Sequence, residues 1–206
     1  MQIHITMAFS RQHLKDVLIG KYHPMNIIWH PIMFEDEAAE ANFSEPWIQP
    51  IILPGNAPAP DFVIVGIQKL NYFIQNASII DEDYYCIPSD DDMYEDGVFD
   101  EVKTIDEDVV VISLKRGHQI PPNTPLTRQY PSDTLLAHPD NMIIGLISGE
   151  QYFMKGRIFR ALPYLRNSQS EDGTIAEYLK ANYNIHYRPD LFALFNYYEP
   201  GRWNKS

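Results

Sequence analysis

The sequence predicts an α/β fold in which a mixed, mostly parallel central sheet is flanked by helices. Predicted strands and helices alternate through the first half of the chain, an order that favours a parallel sheet. Residues 108–114 are almost continuously apolar, as expected of a strand that is covered on both faces. The chain has 206 residues, of which 45% are hydrophobic, and this suffices for one sizeable domain with a packed core.

The first predicted elements are a strand, a helix and a second strand. Polar and β-branched side chains alternate over residues 2–7, which indicates the opening strand. Ser10 is suited to cap a helix that continues to about Tyr22, because apolar side chains follow it at helical spacing. Residues 26–34 form the second predicted strand, and Pro31 within it favours an edge position or a bulge.

The middle of the chain is predicted to hold a long helix between two extended pieces. Residues 46–53 form a short extended segment that leads into a proline-rich loop. Asp61 can cap a helix from residue 62 to about residue 76, which carries apolar side chains at helical spacing. A strand over residues 84–88 follows, and a short helix is expected near residues 98–102.

The second half is predicted to be more extended and mixed. The connection over residues 117–139 is long and rich in proline and threonine, which makes it a candidate substrate loop. The remaining predictions are extended segments over residues 141–147 and 151–154, a late helix over 173–182, and an extended run over 185–189.

Charge and cysteine content exclude several function classes. The formal net charge of −12 argues against nucleic acid or an anionic membrane as a general partner. Cys86 is the only cysteine, which excludes a disulfide within the chain and a cysteine-rich zinc site. Because Cys86 lies in an apolar strand, we expect a buried structural thiol.

The sequence shows no targeting or membrane segment by pattern. The first nine residues alternate and lack the basic flank of a signal peptide, and no window has the apolar length of a bilayer span. We therefore expect a cytoplasmic protein without an integral membrane segment, and leave its oligomeric state open.

Three consecutive acids, Asp90, Asp91 and Asp92, follow the predicted strand over residues 84–88. Mg²⁺ and Mn²⁺ prefer oxygen ligands and often take only one or two carboxylates beside substrate phosphates. Ligands also gather at the carboxyl ends of strands in open α/β sheets. Asp90 and Asp92 are the expected metal ligands, since alternate positions of an extended chain point the same way. A solvated acidic turn is the alternative.

Several other short segments are informative through their order along the chain. The opening strand runs into the turn Met7-Ala8-Phe9-Ser10-Arg11, and the second strand ends at Glu35 and Asp36. The following helix carries Lys69 and Asn71 and leads to the acidic segment at residues 83–92.

The same order continues in the second half of the chain. Residues 145–149 precede residues 152–159, and Ser170-Glu171-Asp172-Gly173 opens the late helix, which leads to residues 187–189. Together these segments resemble the inverting family 2 glycosyltransferases, which use nucleotide-sugars and have the GT-A fold. The resemblance implies one GT-A-like domain over residues 1–206. Residues 1–115 would form its nucleotide-binding half and residues 116–206 its acceptor-side half.

The resemblance also implies an activity and roles for particular residues. The expected reaction is metal-dependent transfer of a sugar from a nucleotide-diphosphate sugar to a carbohydrate or other hydroxyl acceptor, with Mn²⁺ or Mg²⁺ as cofactor. Asp172 is the expected catalytic base with Glu171 beside it, although a helix cap is the ordinary role for such an acid. The expected substrate-binding residues are Arg11, Glu35, Asp36, Lys69, Asn71, Asp91, Lys115 and Arg116.

Some of these roles also follow from the residues themselves, and rival functions stay open. Lys115 and Arg116 follow an apolar strand and can offset diphosphate charge, or they form a solvated basic turn. One rival is a nucleotidyltransferase, which usually has a glycine-rich phosphate loop after its first strand, whereas residues 7–11 contain no glycine. Another is an inactive nucleotide-sugar or metal-binding module on the same fold.

Overall fold

The computed structural model describes residues 1–58, 62–116, 134–143, 147–163 and 171–195. Side chains at positions 62–64, 116, 171 and 195 lie outside this description. The helices are α1 (Lys15–Tyr22), α2 (Glu35–Ala41), α3 (Phe62–Asn76), α4 (Val98–Lys103), α5 (Gly156–Arg160) and α6 (Glu171–Asn182). The strands are β1 (Ile3–Ala8), β2 (Ile28–Phe34), β3 (Ile51–Leu53), β4 (Tyr84–Cys86), β5 (Met93–Tyr94), β6 (Val109–Arg116), β7 (Thr134–Leu135), β8 (Tyr152–Lys155) and β9 (Ile185–Phe195).

The described strands form one sheet in the order β3-β2-β1-β4-β8-β6-β9-β5, and β7 pairs with β6. β1 to β4, β6 and β9 run in one direction, whereas β5, β7 and β8 run in the other. The predicted mixed, mostly parallel sheet with flanking helices is therefore confirmed. The sheet includes strands from both predicted halves of the chain, and the division into halves stays a prediction.

Each face of the sheet is covered by its own hydrophobic core. On one face, Trp29 and Phe153 pack with side chains of α1 and α4. On the other, Tyr85 packs with side chains of α3, α5 and α6. β4 shows why both faces are apolar, since Tyr84 and Cys86 enter the first core and Tyr85 the second.

The predicted buried structural role of Cys86 is confirmed. Its side chain is fully buried, and burial raises the pKa of the thiol to about 12. The thiol is therefore protonated and unreactive at neutral pH.

The predicted helix from Ser10 to Tyr22 begins later than expected. A 3-10 turn spans Gln12–Leu14, and α1 follows it. Ser10 does not cap either one, because its hydroxyl accepts a hydrogen bond from the Lys69 ammonium at 2.8 Å. The side chain that the local sequence predicts as a helix cap is thus used in a long-range contact instead.

The predicted edge or bulge position of Pro31 is wrong, because β2 lies between β1 and β3. The backbone N–H and C=O of Trp29 both bond to the 47–49 segment. The backbone nitrogen of Pro31, two residues later, faces the same side of β2. β3 begins only at Ile51, and the Gln49 carbonyl is bonded to the His30 ring at 3.2 Å instead. A neighbouring histidine thus supplies the contact that proline cannot make.

Other predictions are corrected or lie outside the described residues. A 3-10 turn over Pro139–Asn141 begins the region that was predicted to be extended over 141–147. Asp61, positions 144–146 and most of the predicted 117–139 loop are outside the description. No helix in the described part of the chain has the length and apolar character to cross a membrane.

A chain of buried polar groups crosses β2, β1 and the start of β4. His4 Nδ1 and His30 Nε2 share a hydrogen bond of 2.8 Å, and His4 Nε2 lies 3.2 Å from Asp83 Oδ2. Both rings are less than 10% exposed. Burial lowers the pKa of His30 to about 4 and also lowers the pKa of His4, which the Asp83 carboxylate opposes.

We predict that this histidine pair makes the protein less stable in mild acid. In the unfolded chain the rings bind protons near their ordinary pKa of 6.5, but in the folded protein they do so only at lower pH. Their stabilisation is therefore complete above about pH 6.5 and is lost as pH falls toward about 4, with about 3 kcal/mol from His30. The measurement is the free energy of unfolding by denaturant across this range.

His30→Leu should flatten this pH slope, although it lowers stability at pH 8 by removing two hydrogen bonds. His138→Asn is the matched control, because the His138 side chain is 60% exposed. An unchanged slope in His30→Leu would contradict the prediction.

Candidate active site

The three consecutive acids form a buried turn at the carboxyl end of β4. The Asp92 N–H donates to the Ser89 carbonyl at 3.2 Å, and the Ser89 N–H donates to Asp92 Oδ2 at 2.9 Å. Asp90 is 4% exposed, Asp91 2% and Asp92 0%. Asp90 and Asp92 were chosen as metal ligands on the prediction that this segment is extended, and that prediction is wrong. Which residues would hold a metal ion stays a prediction.

Asp90 joins the acidic turn to the loop that follows β1. Its Oδ2 accepts hydrogen bonds from the backbone N–H groups of Ser10 and Arg11, both at 2.9 Å. Its Oδ1 pairs with the Arg11 guanidinium. Both carboxylate oxygens are thus used within the protein, and Asp90 acts as the link between two strand ends.

Arg11 supplies positive charge beside the acids. Its Nη1 lies 3.1 Å from Asp91 Oδ1 in addition to its contact with Asp90. The Arg11 side chain is 14% exposed, so the guanidinium lies at the edge of the buried turn. Its predicted contact with a nucleotide stays a prediction, and its partners among the described residues include the two aspartates.

Lys69 lies beneath the loop after β1 and is fully buried, and its predicted contact with substrate stays a prediction. Its ammonium donates to the Phe9 carbonyl at 2.8 Å, to Ser10 Oγ at 2.8 Å and to the Glu37 carboxylate at 2.9 Å. These bonds use all three N–H donors of the group. Burial lowers the pKa of Lys69, and the Glu37 carboxylate opposes that change. Lys69 therefore supports the loop from behind.

Asp172 lies close to the end of β4. A Cβ added at Gly149 would lie 3.2 Å from Asp172 Oδ1 and 2.6 Å from the Ile87 carbonyl oxygen. The backbone at Gly149 therefore fits between the start of α6 and the segment that enters the acidic turn, where no other residue has room. The Tyr152 hydroxyl donates to the Asp172 carbonyl at 2.9 Å and helps to hold α6 there.

Glu150 is a site residue that the sequence reasoning missed. It is 2% exposed, and its charge interacts with those of Asp91 and Asp172. One sequence signal was available, since Glu150 lies among the apolar residues Ile147, Tyr152 and Phe153, where an acid is unusual. The structure thus adds another buried carboxyl, on which the charges of both Asp91 and Asp172 act.

The remaining predicted site residues have ordinary protein partners or are buried. Glu35 and Asp36 are exposed and accept hydrogen bonds from the N–H groups of Gly55 and Ala57 at 3.0 and 3.1 Å. Asn71 is 6% exposed within α3. The Lys115 ammonium pairs with Glu95 and lies 3.9 Å from the centre of the Phe192 ring. The side chains of Arg116 and Glu171 are outside the described residues.

The donor set of the site limits what can hold a metal ion. Within the described ranges there is no group of three or more histidine, cysteine or acidic side chains arranged to bind one. Asp90 is saturated by its contacts with the loop, whereas Asp91 has a single observed ion pair, with Arg11. Mg²⁺ sites that include substrate phosphates need only one or two carboxylates, so Asp91 fits such a site better than Asp90 does.

The fold is similar to solved structures of nucleotide-sugar enzymes. TarS residues 1–349 from S. aureus match with a TM-score of 0.60 and 13% identity, covering 98% of this chain and 64% of that one. UTP-bound UGPase from Acinetobacter baumannii matches with a TM-score of 0.51 and 9% identity, covering 99% and 91%. No family model and no curated protein matches the sequence.

These likenesses show that the chain shares the fold of the two structures, which confirms the predicted resemblance at the level of the fold. The chain spans 64% of the length of the TarS structure.

We predict that Lys69→Met destabilises the protein by about 3 kcal/mol, because it leaves the Glu37 carboxylate and two loop oxygens without their cation. Methionine keeps the length and apolar packing of the lysine stem. Unfolding by denaturant measures the loss.

Two further variants test the cause of that loss. Lys21→Met removes an exposed pair with Asp96 and should cost less than about 1 kcal/mol. Adding Glu37→Gln to Lys69→Met should recover part of the loss by removing the unpaired charge. Equal costs for Lys69→Met and Lys21→Met would refute the supporting role of Lys69.

Proposed function

We propose that this protein transfers a sugar from a nucleotide-diphosphate sugar to a hydroxyl acceptor. The observation that carries the proposal is that Asp172 and Ile87, three residues before the acidic turn, both lie next to Gly149, while the charges of Asp91 and Asp172 both act on Glu150. Such a transfer requires the base to lie near the donor site. The acceptor hydroxyl that the base deprotonates must reach the sugar carbon whose bond to phosphate breaks. The nucleotide-sugar transferase fold supports the same activity.

Asp172 is suited to act as the base. Its carboxylate takes the proton of the acceptor hydroxyl as the hydroxyl oxygen forms a bond to the anomeric carbon. The bond between that carbon and the phosphate oxygen breaks, and its electron pair leaves with the nucleoside diphosphate. Direct displacement inverts the configuration at the anomeric carbon. Asp172 is partly exposed, in contrast to the buried turn, so an acceptor can reach it.

A divalent cation, Mn²⁺ or Mg²⁺, is part of this proposal. When bound, it would offset the growing negative charge of the diphosphate as a Lewis acid. We assign Asp91 to hold it. Asp90 accepts hydrogen bonds from the loop after β1, and Asp92 accepts one within its own turn. Arg11 stays beside Asp91 and contributes fixed positive charge at the same place.

Nucleotidyl transfer is the second candidate, since UGPase has a similar fold over 91% of its length. That chemistry needs phosphate-binding groups in the loop after the first strand. Here the Ser10 and Arg11 N–H groups of that loop bond to Asp90, and the Lys69 ammonium is buried below it. The loop is therefore organised around a protein carboxylate, which favours glycosyl transfer.

The test is a screen of nucleotide-sugars with and without Mn²⁺. Binding of a donor to the native protein must raise its melting temperature, and UDP, GDP and their sugar conjugates form a suitable panel. Glycosyl transfer or slow hydrolysis releases a nucleoside diphosphate, whereas nucleotidyl transfer from UTP releases pyrophosphate. Binding without either product would indicate a binding module.

We predict that Asp172→Asn lowers kcat for sugar transfer or donor hydrolysis by at least about 100-fold, the ordinary contribution of a general base. The affinity for UDP should not change, because Asp172 does not hold the nucleotide. Steady-state kinetics and calorimetry measure the two effects. Glu177→Gln is the matched control, an exposed acid on the same helix, and should leave both values unchanged. Full activity in Asp172→Asn would rule out this base.

A further inference from the structure

Glu150 has one carboxyl oxygen in use and one open. Oε2 accepts a hydrogen bond from Ser148 Oγ at 2.6 Å. Oε1 is buried and has no hydrogen-bond partner among the residues that the structure describes. The side chain is only 2% exposed, so bulk water does not solvate this oxygen. A buried carboxyl oxygen without a partner is costly and needs an explanation.

The groups around Glu150 are acids and phenols. The charges of Asp172 on α6 and Asp91 in the acidic turn interact with Glu150. Tyr94 on β5 and Tyr152 on β8 are also close enough for the Glu150 charge to raise the pKa of their hydroxyls. None of these described neighbours is a cation that would repay the burial of a carboxylate. Packing alone therefore gives no reason for a glutamate here.

The position of Glu150 in the fold is fixed on both sides. A Cβ at Gly149, the residue before it, would lie 2.6 Å from the Ile87 carbonyl oxygen and 3.2 Å from Asp172 Oδ1, so little space is left there. Gln151 after it donates from Nε2 to the Ile112 carbonyl at 2.9 Å and is 1% exposed. The residue is thus fixed in the fold, and its carboxyl lies close enough to both Asp91 and Asp172 for their charges to act on it.

We propose that Glu150 binds a sugar hydroxyl through its open oxygen Oε1. The inference rests on the proposed function, because it takes the ligand of the Asp91 and Asp172 site to be a sugar. It assigns Glu150 to substrate binding and leaves the base role with Asp172.

The protonation behaviour of Glu150 agrees with a hydroxyl ligand. Burial, together with the charges of Asp172 and Asp91, raises the pKa of Glu150 to about 7, although its hydrogen bond from Ser148 opposes the change. Near neutral pH the group therefore exists both as a carboxylate, which only accepts, and as an acid, which also donates. A hydroxyl can donate and accept, so it keeps its hydrogen bond to either form. A phosphate oxygen bonds only to the acid form.

The experiment compares Glu150→Leu with Glu150→Gln. Leucine fills the space without polar atoms, whereas glutamine keeps a donor and an acceptor for a hydroxyl. Calorimetry measures affinity for UDP and GDP and for UDP-glucose, UDP-galactose, UDP-N-acetylglucosamine and GDP-mannose. Methyl glycosides of the same sugars, titrated into protein saturated with UDP or GDP, report the acceptor side.

We predict that Glu150→Leu weakens sugar binding by about tenfold or more, the worth of one hydrogen bond to a carboxyl group. Affinity for UDP or GDP alone should not change, and Glu150→Gln should keep most of the sugar affinity. A loss confined to nucleotide-sugars would identify a hydroxyl of the donor, and a loss confined to methyl glycosides would identify a hydroxyl of the acceptor. Both results support the inference.

The melting temperature without ligand tests a structural role. Glu150→Leu should equal or exceed the wild type, because it removes a buried acid with an open oxygen. A lower melting temperature with unchanged sugar affinity would overturn the inference and leave the proposed function intact. A wild-type protein that binds neither the nucleotides nor their sugar conjugates would overturn both.

Discussion

The geometry of the candidate site depends on the buried ammonium of Lys69. This group fixes the loop after β1 through the Phe9 carbonyl and the Ser10 hydroxyl, and Glu37 balances its charge. The loop in turn directs two backbone N–H groups at Asp90, which sets the position of the acidic turn. The Lys69 ammonium on α3 therefore helps to position the Asp90 carboxylate after β4, although it lies behind the loop and not in the site.

The acids of the site differ because their partners differ. Asp90 has backbone donors and a guanidinium, Asp91 shares that guanidinium, and Glu150 has one serine hydroxyl. In a chain with a net charge of −12, such a gathering of buried acids is expensive. Arg11 offsets part of this charge. A cation bound at the proposed donor site would offset more of it.

Sequence patterns predicted most of the fold because the local and tertiary signals agree. The apolar run of β6 is buried, and so are Ile67 and Leu70 of α3, as their spacing predicts. The predictions failed where a distant residue decided the outcome. Ser10 bonds to Lys69 rather than to a helix terminus, and the His30 ring bonds to the carbonyl that Pro31 leaves open. The spacing of residues along the chain does not predict such long-range contacts.

The candidate site, too, was predicted where sequence order is informative and missed where distant contacts decide. The acids after β4 and Asp172 were selected from their order in the chain, and the structure places Asp172 near Ile87 and lets the charges of Asp91 and Asp172 both act on Glu150. The role of Lys69 was not, because it depends on contacts with residues about 30 and 60 positions away. Glu150 was missed because a single acid after a glycine has no distinctive spacing.

Glycines before and after β8 set how closely its two ends pack against neighbouring backbone. A methyl group at Gly156 would lie 2.0 Å from the Ile80 carbonyl oxygen, and one at Gly149 would lie 2.6 Å from that of Ile87. Main chain therefore packs directly on main chain at these two points. Any larger residue at either position would have to displace backbone, so exchange there costs more than exchange of a side chain that packs only against other side chains.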